Sequence, residues 1–383
     1  MIILDKPYTS PELAAYLEAA GHPVLRNEEA EKTAAGRRLN LVSPAEFASR
    51  ADAGERLYTV SEHSLDWVLA NTRAENIAGG VRRMKDKHLL RETLRPLYPD
   101  YYFTQASFDE LAAMDPAALP LPLVLKPAVG FFSVGVHVVA TPEDWTRALA
   151  SIAAGREQWG RDYPAEVVGQ GRFILEEYIA GDEYALDAWY DGSGKAVIAN
   201  IMKHDFASAD DVSDRLYYTG AGVIRDNLSR FGRFLDGVNT RLGLRDFPFH
   251  VELRTDGDRI IPIEFNPLRF AGWCSTDLAL FAFGIRTYDN YFADAAPRWD
   301  ELLAGREDDL YSLVILDKRP GLPEGKRLDY DAAGRTFTEV LHTRKIDDPD
   351  APLFGFLFTR TPAAKREEMS RIMRSDLSEF MTG

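Results

Sequence analysis

The chain opens on an apolar run, Met1 to Leu4, followed by a polar loop and a segment in which Leu13, Tyr16, Leu17 and Ala20 recur at helical spacing. The pattern predicts a strand and then a helix, with Ser10 as its N-cap, Pro11 at its first position and Gly21 at its end. His22 to Leu25 reads as a second strand, and Arg56 to Val60 followed by Ser64 to Ala70 repeats the strand-then-helix order. A small α/β unit is therefore expected at the N-terminus. A dinucleotide fold would place a G-x-G-x-x-G turn after the first strand, where this chain has Asp5-Lys6-Pro7-Tyr8, which disfavours a dehydrogenase.

A charged helix is expected near Val81 to Leu97, carrying Lys85, Lys87, Arg91 and Arg95 and interrupted at Pro96. Leu121 to Leu125 reads as a buried strand ending in Lys126, and a lysine in that place either snorkels to solvent or faces an anion. Pro127 breaks the strand. Gly130, Ser133 and Gly135 then allow a flexible loop whose backbone N–H groups can close over phosphate, with Phe131 and Phe132 at its tip. In RFILEEYIAGDEYALD, a strand runs into Glu176-Glu177-Tyr178-Ile179 and Gly181 turns the chain into a second strand bearing Glu183 and Asp187. Main chain exposed at such a crossover suits an adenine edge, and a carboxylate seven residues beyond Glu176 suits ribose hydroxyls. For the side chains of Glu177 and Asp182, plain surface acidity is the preferred reading.

The richest stretch is Pro248 to Gly272. Phe249 to Arg254 and Arg259 to Phe265 flank the turn residues Thr255-Asp256-Gly257-Asp258, which predicts a hairpin. Glu264 and Asn266 share a face in any register, whereas Glu252 depends on the loop. A two-residue loop points Glu252 away. An odd loop, with Thr255 opposite Arg259, sets Glu252 opposite Pro262 and diagonal to Glu264, about 7 to 8 Å away. Two carboxylates and an amide oxygen suit magnesium, which takes hard oxygen ligands and often shares them with substrate phosphates. Taken alone, the same residues are also what a solvated hairpin face would carry.

Composition narrows the classes. The 383 residues are 45% hydrophobic and 27% charged, which describes a globular chain of two or three domains. A net charge of −15 with no basic block disfavours nucleic acid as partner. The single cysteine, Cys274, excludes an intrachain disulfide and fits a reducing compartment. It reads as packing beside Trp273. The N-terminus meets Asp5 and Lys6 too early for a signal peptide, and the apolar region Leu119 to Ala140 is interrupted by Lys126, His137 and prolines. A cytoplasmic protein without a membrane span is expected.

The order of these parts resembles the ATP-grasp superfamily in its carboxylate-amine ligase type, similar to L-amino acid ligases and biotin carboxylase-like proteins. The resemblance runs from about residue 86 to 295. It rests on Lys87, Lys126 before a Gly/Ser loop, ILEEYIAGDEY, Lys203, HVEL and IEFNPLRFAG, with twelve residues from Glu252 to Glu264 and seven from Glu176 to Glu183.

It implies a mixed α/β and α+β architecture. A Rossmann-like pre-ATP-grasp domain would span residues 1–85, an ATP-grasp domain 86–300 with a lid subdomain near 104–180, and a C-terminal α+β subdomain 301–383 that completes the enzyme or serves a homodimer. Lys87 and Lys126 would contact ATP phosphates, with Gly130, Ser133 and Gly135 in the lid. Glu176, with the main chain through Glu177, Tyr178 and Ile179, would read adenine, and Glu183 would hold the ribose. Lys203 would add a second phosphate contact and join Arg269 at the transfer step. Glu252, Glu264 and Asn266 would bind Mg2+, or Mn2+ in its place.

The activity implied is ligation of a carboxylate to an amine through an acyl phosphate, with small-molecule substrates. The alternatives are a carboxylase or kinase using the same clamp and a nucleotide-binding regulator without turnover. Two departures from the family stand out. GFFSVGV is poorer in glycine than family lids, and Leu268 stands where the family arginine is usual, with Arg269 one residue later. Two further strands, Leu310 to Leu316 and Leu353 to Phe358, precede a final helix whose core stripe is Met369, Ile372, Met373, Leu377 and Phe380.

Overall fold

The computed structural model describes residues 1–128, 135–162, 171–207, 214–318 and 326–382, without the side chains of 156–162. Near the N-terminus, β1 (Ile2–Ile3), β2 (Pro23–Leu25), β3 (Asn40–Val42) and β4 (Tyr58–Thr59) form a parallel sheet in the order β3-β2-β1-β4. Their short apolar runs suit strands covered on both faces. The helix Pro11–Ala20 starts where Ser10 Oγ accepts the Leu13 N–H at 3.1 Å and ends at Gly21, whose φ of 69° only glycine adopts cheaply. Leu13, Ala14 and Leu17 are buried, Tyr16 is half-buried, and Ala20 is exposed because the helix stops there.

The charged run is two helices, Glu75–Lys85 and Lys87–Leu94, where one was expected. Asp86 causes the break: its backbone is extended (φ −81°, ψ 108°), and its side chain accepts the Leu89 N–H at 2.9 Å as an N-cap. Lys87 thereby becomes the first residue of the second helix.

A second sheet is antiparallel, with β5 (Phe103–Ser107), β6 (Leu123–Pro127), β7 (His137–Val139) and β8 (Arg172–Glu177) in the order β5-β8-β6-β7. Pro127 closes β6 from inside the strand. The chain then crosses through residues 178–181 into the largest sheet. Gly181 permits this crossing, since its φ is 98° and an added Cβ would lie 2.0 Å from the Thr255 carbonyl oxygen.

The largest sheet contains β9 (Asp182–Tyr190), β10 (Ala196–His204), β11 (Leu216–Gly220), β12 (Phe247–Asp256), β13 (Arg259–Pro267) and β14 (Asp309–Asp317). A short ribbon pairs β15 (Arg327–Leu328) with β18 (Met381–Thr382), while β16 (Glu339–Lys345) and β17 (Leu353–Pro362) return to the large sheet. Among the described residues its order is β13-β12-β9-β10-β11-β14-β17-β16. The C-terminal strands thus extend the same sheet that holds the hairpin. The long helix Ala221–Leu242 covers one face, burying Phe231 against Tyr184 and Leu235 beside Tyr190.

Met369, Ile372, Leu377 and Phe380 do pack in the core, beside Leu216, Val314 and Leu357. They do not lie on one helix. The helix ends at Arg374, and Leu377 has a left-handed backbone with φ 69°. No helix among the described residues is long and apolar enough to cross a membrane.

Candidate functional site

The sheet face left open by the long helix borders a cavity of about 550 Å3. It is lined by Lys87, Lys126, Glu176 to Ile179, Glu183, Glu252, Glu264, Asn266 and Arg269, which the sequence had singled out, and by residues from the N-terminal unit and the C-terminal strands.

The hairpin turn is even, with Asp256 paired to Arg259. By the alternation rule this should turn Glu252 away from Glu264. A β-bulge restores the face: Leu253 pairs with Pro262 and Glu252 with Glu264, leaving Ile263 as the extra residue. Glu252 therefore stands directly opposite Glu264, neither diagonal to it nor opposite Pro262, and His250 stands opposite Asn266. Pro262, which cannot donate to a ladder, is accommodated at this irregularity on an edge strand.

Burial and the nearby Glu264 push the Glu252 carboxyl well above the usual carboxylate range. Burial opposes the charge of Glu264 too, but Lys87, Lys85 and Lys126 outweigh it and hold Glu264 low. Asn266 Nδ2 donates to Glu264 Oε1 at 3.2 Å, which directs its amide oxygen elsewhere. Two facing carboxyls and an amide oxygen fit a hard divalent cation, whose charge would offset the burial and the repulsion that raise Glu252. Among the described residues there is no group of three or more His, Cys, Asp or Glu that could hold a metal ion.

Both predicted lysines are buried and paired. Lys87 Nζ lies 3.1 Å from Glu264 Oε2, and Lys126 pairs with Glu176 Oε1. Arg91 takes the other Glu176 oxygen at 2.7 Å and donates to the Pro262 carbonyl at 2.7 Å. Burial would raise the Glu176 pKa, yet Arg91 and Lys126 pull it down to about 2. Glu176 therefore anchors two cations, with its carboxylate committed to them and not to a base edge.

At the crossover, the Glu177 N–H donates to the Tyr102 carbonyl and the Tyr178 N–H to the Pro122 carbonyl, while the Ile179 carbonyl accepts from Arg254 at 2.9 Å. The Glu177 side chain pairs with Arg259 at 2.7 Å. Glu183 accepts from Arg254 at 2.8 Å and lies 2.8 Å from His204 Nδ1. Each of its oxygens retains a second lone pair for a hydroxyl.

Lys203 is not brought to this cavity. Met202 and His204 line it, so strand alternation turns Lys203 to the opposite face, where it meets Asp182 at 2.9 Å and the Tyr184 ring. Gly130 and Ser133, with the two loop phenylalanines, lie outside the described residues. Gly135 is described and has φ 74°.

The shifted arginine does face the cavity. Leu268 takes a left-handed backbone, φ 60°, and buries its side chain in the core, and its carbonyl accepts the Thr59 N–H at 2.7 Å. That turn exposes Arg269, whose Nη2 donates to Glu62 Oε1 at 2.5 Å and whose Nη1 donates to the Phe270 carbonyl at 2.9 Å. Lys85 also pairs with Glu62. Burial works against the charge of Glu62, but Lys85 and Arg269 hold its pKa at about 2.

Sequence reasoning missed Glu62 and the ion pair of Arg91 with Glu176, while Arg254, expected as an ion-pair partner on a solvated hairpin face, pairs with Glu183. Arg91 had a usable signal, since it lies four residues after Lys87 and so shares its helix face. Glu62 had none. His250 is packed, its Nδ1 2.7 Å from Asp187, which also accepts from the Ala271 N–H and Thr276. Cys274 is buried, its thiol pushed up to about 11 by burial, as packing requires.

Residues 119–277 match the model of an ATP-grasp domain. No curated protein sequence matches the chain. Among solved structures, an L-amino acid ligase from Bacillus licheniformis is similar at 16% identity with a TM-score of 0.71, covering 100% of this chain and 97% of that one. N5-carboxyaminoimidazole ribonucleotide synthetase from Thermotoga maritima follows the fold at 13% identity and TM-score 0.62, covering 100% and 98%. Biotin carboxylase from Campylobacter jejuni does so at 12% and 0.61, covering 100% and 91%. The lysine-lined cavity, its acidic hairpin and these likenesses converge: the chain carries an ATP-grasp domain within an ATP-grasp fold that spans its whole length.

Proposed function

We propose that this protein is an ATP-dependent ligase that activates a carboxylate as an acyl phosphate and joins it to an amine, releasing ADP and phosphate. One observation carries the reading: two buried lysines, an opposed pair of glutamates with an asparagine, and Arg269 border a single cavity. The named activities of the similar structures, L-amino acid ligase among them, support the same class. We further propose residues 1–85, 86–300 and 301–383 as its domains, and the cytoplasm as its compartment, in keeping with the lone buried thiol of Cys274.

In this reading Ile179 N–H and Tyr178 C=O read the adenine edge, Glu183 holds the ribose, and Lys87 and Lys126 take the phosphates. Glu252, Glu264 and Asn266 would hold Mg2+ or Mn2+, which would neutralise phosphate charge during phosphoryl transfer. Lys87 is tied to Glu264, so the phosphate-binding and metal-binding groups are set relative to each other before nucleotide arrives. Arg269 aligns the carboxylate oxygen with the terminal phosphorus. That oxygen forms a bond to phosphorus as ADP leaves. The amine then attacks the acyl carbon and phosphate departs with the carboxylate oxygen, the amine's proton passing to solvent.

The test is an ADP-release screen over pairs of carboxylates and amines, with the condensed product identified by mass spectrometry. Oxygen-18 in the carboxylate should appear in released phosphate. AMP with pyrophosphate in place of ADP would reject the mechanism, bicarbonate dependence would favour a carboxylase, and a stable phosphorylated product would favour a kinase.

A further inference from the structure

Beyond Arg269 the cavity changes character. Leu313 and Ile315 of β14 and Leu353 and Phe356 of β17 line its far end together with Trp273, whose ring centroid lies 6.3 Å from that of Phe356. Strand pairing places these side chains on the same sheet face as the hairpin glutamates: Tyr217 pairs with Leu313, and Ile315 with Phe356. Phosphate, metal and ribose chemistry have no use for such an apolar wall.

The wall is built with effort. Trp273 and Cys274 are consecutive left-handed residues, φ 55° and 54°, a conformation that side-chain-bearing residues rarely adopt. Arg344 secures the turn by donating to both of their carbonyls, at 3.0 and 2.9 Å, while pairing with Asp277 at 2.7 Å. The turn presents the indole to the cavity, half-buried, with no described partner for its Nε1. It also places this wall beside the cation, since Gly272 lies under Arg269, whose Nη1 would be 3.7 Å from an added Cβ.

From this juxtaposition of a guanidinium with an apolar, aromatic recess, we infer that the far end is the side-chain pocket of the carboxylate substrate. The substrate class is a carboxylic acid with a large apolar side chain, such as an α-amino acid of the phenylalanine or leucine type. The role of Arg269 in this inference rests on the ligase reading. The apolar wall selects by desolvation: a large apolar group gains by leaving water, whereas an anionic one loses hydration and meets the carboxylate of Asp317, which lines the same end.

The test is calorimetric titration of the full chain, with Mg2+ and an ATP analogue that cannot transfer its terminal phosphate, by phenylalanine, leucine, glycine and aspartate. Phenylalanine or leucine should bind at least about tenfold more tightly than glycine or aspartate, the scale set by apolar pockets. Trp273→Ala and the milder Ile315→Ala, each checked by circular dichroism, should reduce that ratio several-fold with ATP-analogue affinity unchanged. Glycine or aspartate binding as tightly as phenylalanine, absence of binding by both apolar acids, or an unaltered ratio in both folded variants would overturn the assignment. Apolar preference without ADP release from any substrate pair would reject the ligase reading and leave the pocket standing. ADP release confined to polar carboxylates would do the reverse.

Discussion

Glu252 stands directly across the hairpin from Glu264, although the turn joining their strands is even and would by itself set them on opposite faces. The bulge at Ile263 reverses the alternation once, and the face that carries both glutamates exists because of it. Glu264→Gln and Asn266→Ala should each lower kcat at least about a hundredfold, or ~2.7 kcal/mol of barrier. Circular dichroism should stay as in the wild type, because these groups border a cavity. Unchanged ADP release in both variants would remove the hairpin from the chemistry.

Lys126 is a buried cation held by Glu176. Lys126→Met should weaken ATP binding about 10- to 150-fold, the worth of one charged hydrogen bond. It also leaves Glu176 with Arg91 alone, so stability should fall by about 1 to 3 kcal/mol. Adding Glu176→Gln should recover part of the stability and none of the affinity. Calorimetry that returned wild-type ATP affinity for Lys126→Met would make the lysine purely structural.

Arg269→Lys keeps the charge but loses the planar fork. kcat should drop at least about tenfold, ~1.4 kcal/mol, with ATP affinity nearly unchanged. A larger loss of ATP affinity than of kcat would place Arg269 with the nucleotide.

Glu62, which holds Arg269, titrates at about 2 against an ordinary value near 4.5. A depressed folded-state pKa contributes stability that is fully present above the ordinary value and disappears as pH falls through the folded value. The stability difference between wild type and Glu62→Gln should therefore be constant from pH 7 to about 5 and shrink between about 4.5 and 2, from roughly 3 kcal/mol. Denaturant titrations at pH 6 and pH 3.5 read this directly. A difference that grew on acidification would contradict the ion-pair assignment.

Arg344 is almost wholly buried, and it joins β16 to the Trp273–Asp277 turn through two carbonyls and a carboxylate. Arg344→Met strands the buried Asp277 carboxyl, so unfolding free energy should fall by about 3 to 5 kcal/mol. Arg344→Met/Asp277→Leu should lose much less. Equal losses in the single and double variants would argue that packing, and not the ion pair, holds the turn.

Local chemistry made much of this molecule legible from its residues. Ser10, Pro11 and Gly21 bound a helix through caps and backbone limits that act within one turn. The placing of Glu264 and Asn266 on one face follows from strand period alone. Properties that depend on what lies across space were not legible. The face of Glu252 turned on a bulge of one residue, and strand alternation set Lys203 apart from the cavity once the helix Ala221–Leu242 had covered the other sheet face. Glu176 became an anchor because Arg91, 85 residues earlier in the chain, reaches it. Glu62, from the N-terminal unit, meets Arg269 across 207 residues. Pattern along a chain reports period and capping, because those forces act between near neighbours. Which charges neutralise one another, and which wall an apolar recess presents, is decided by packing between distant segments, where burial makes an unpaired charge too costly to leave.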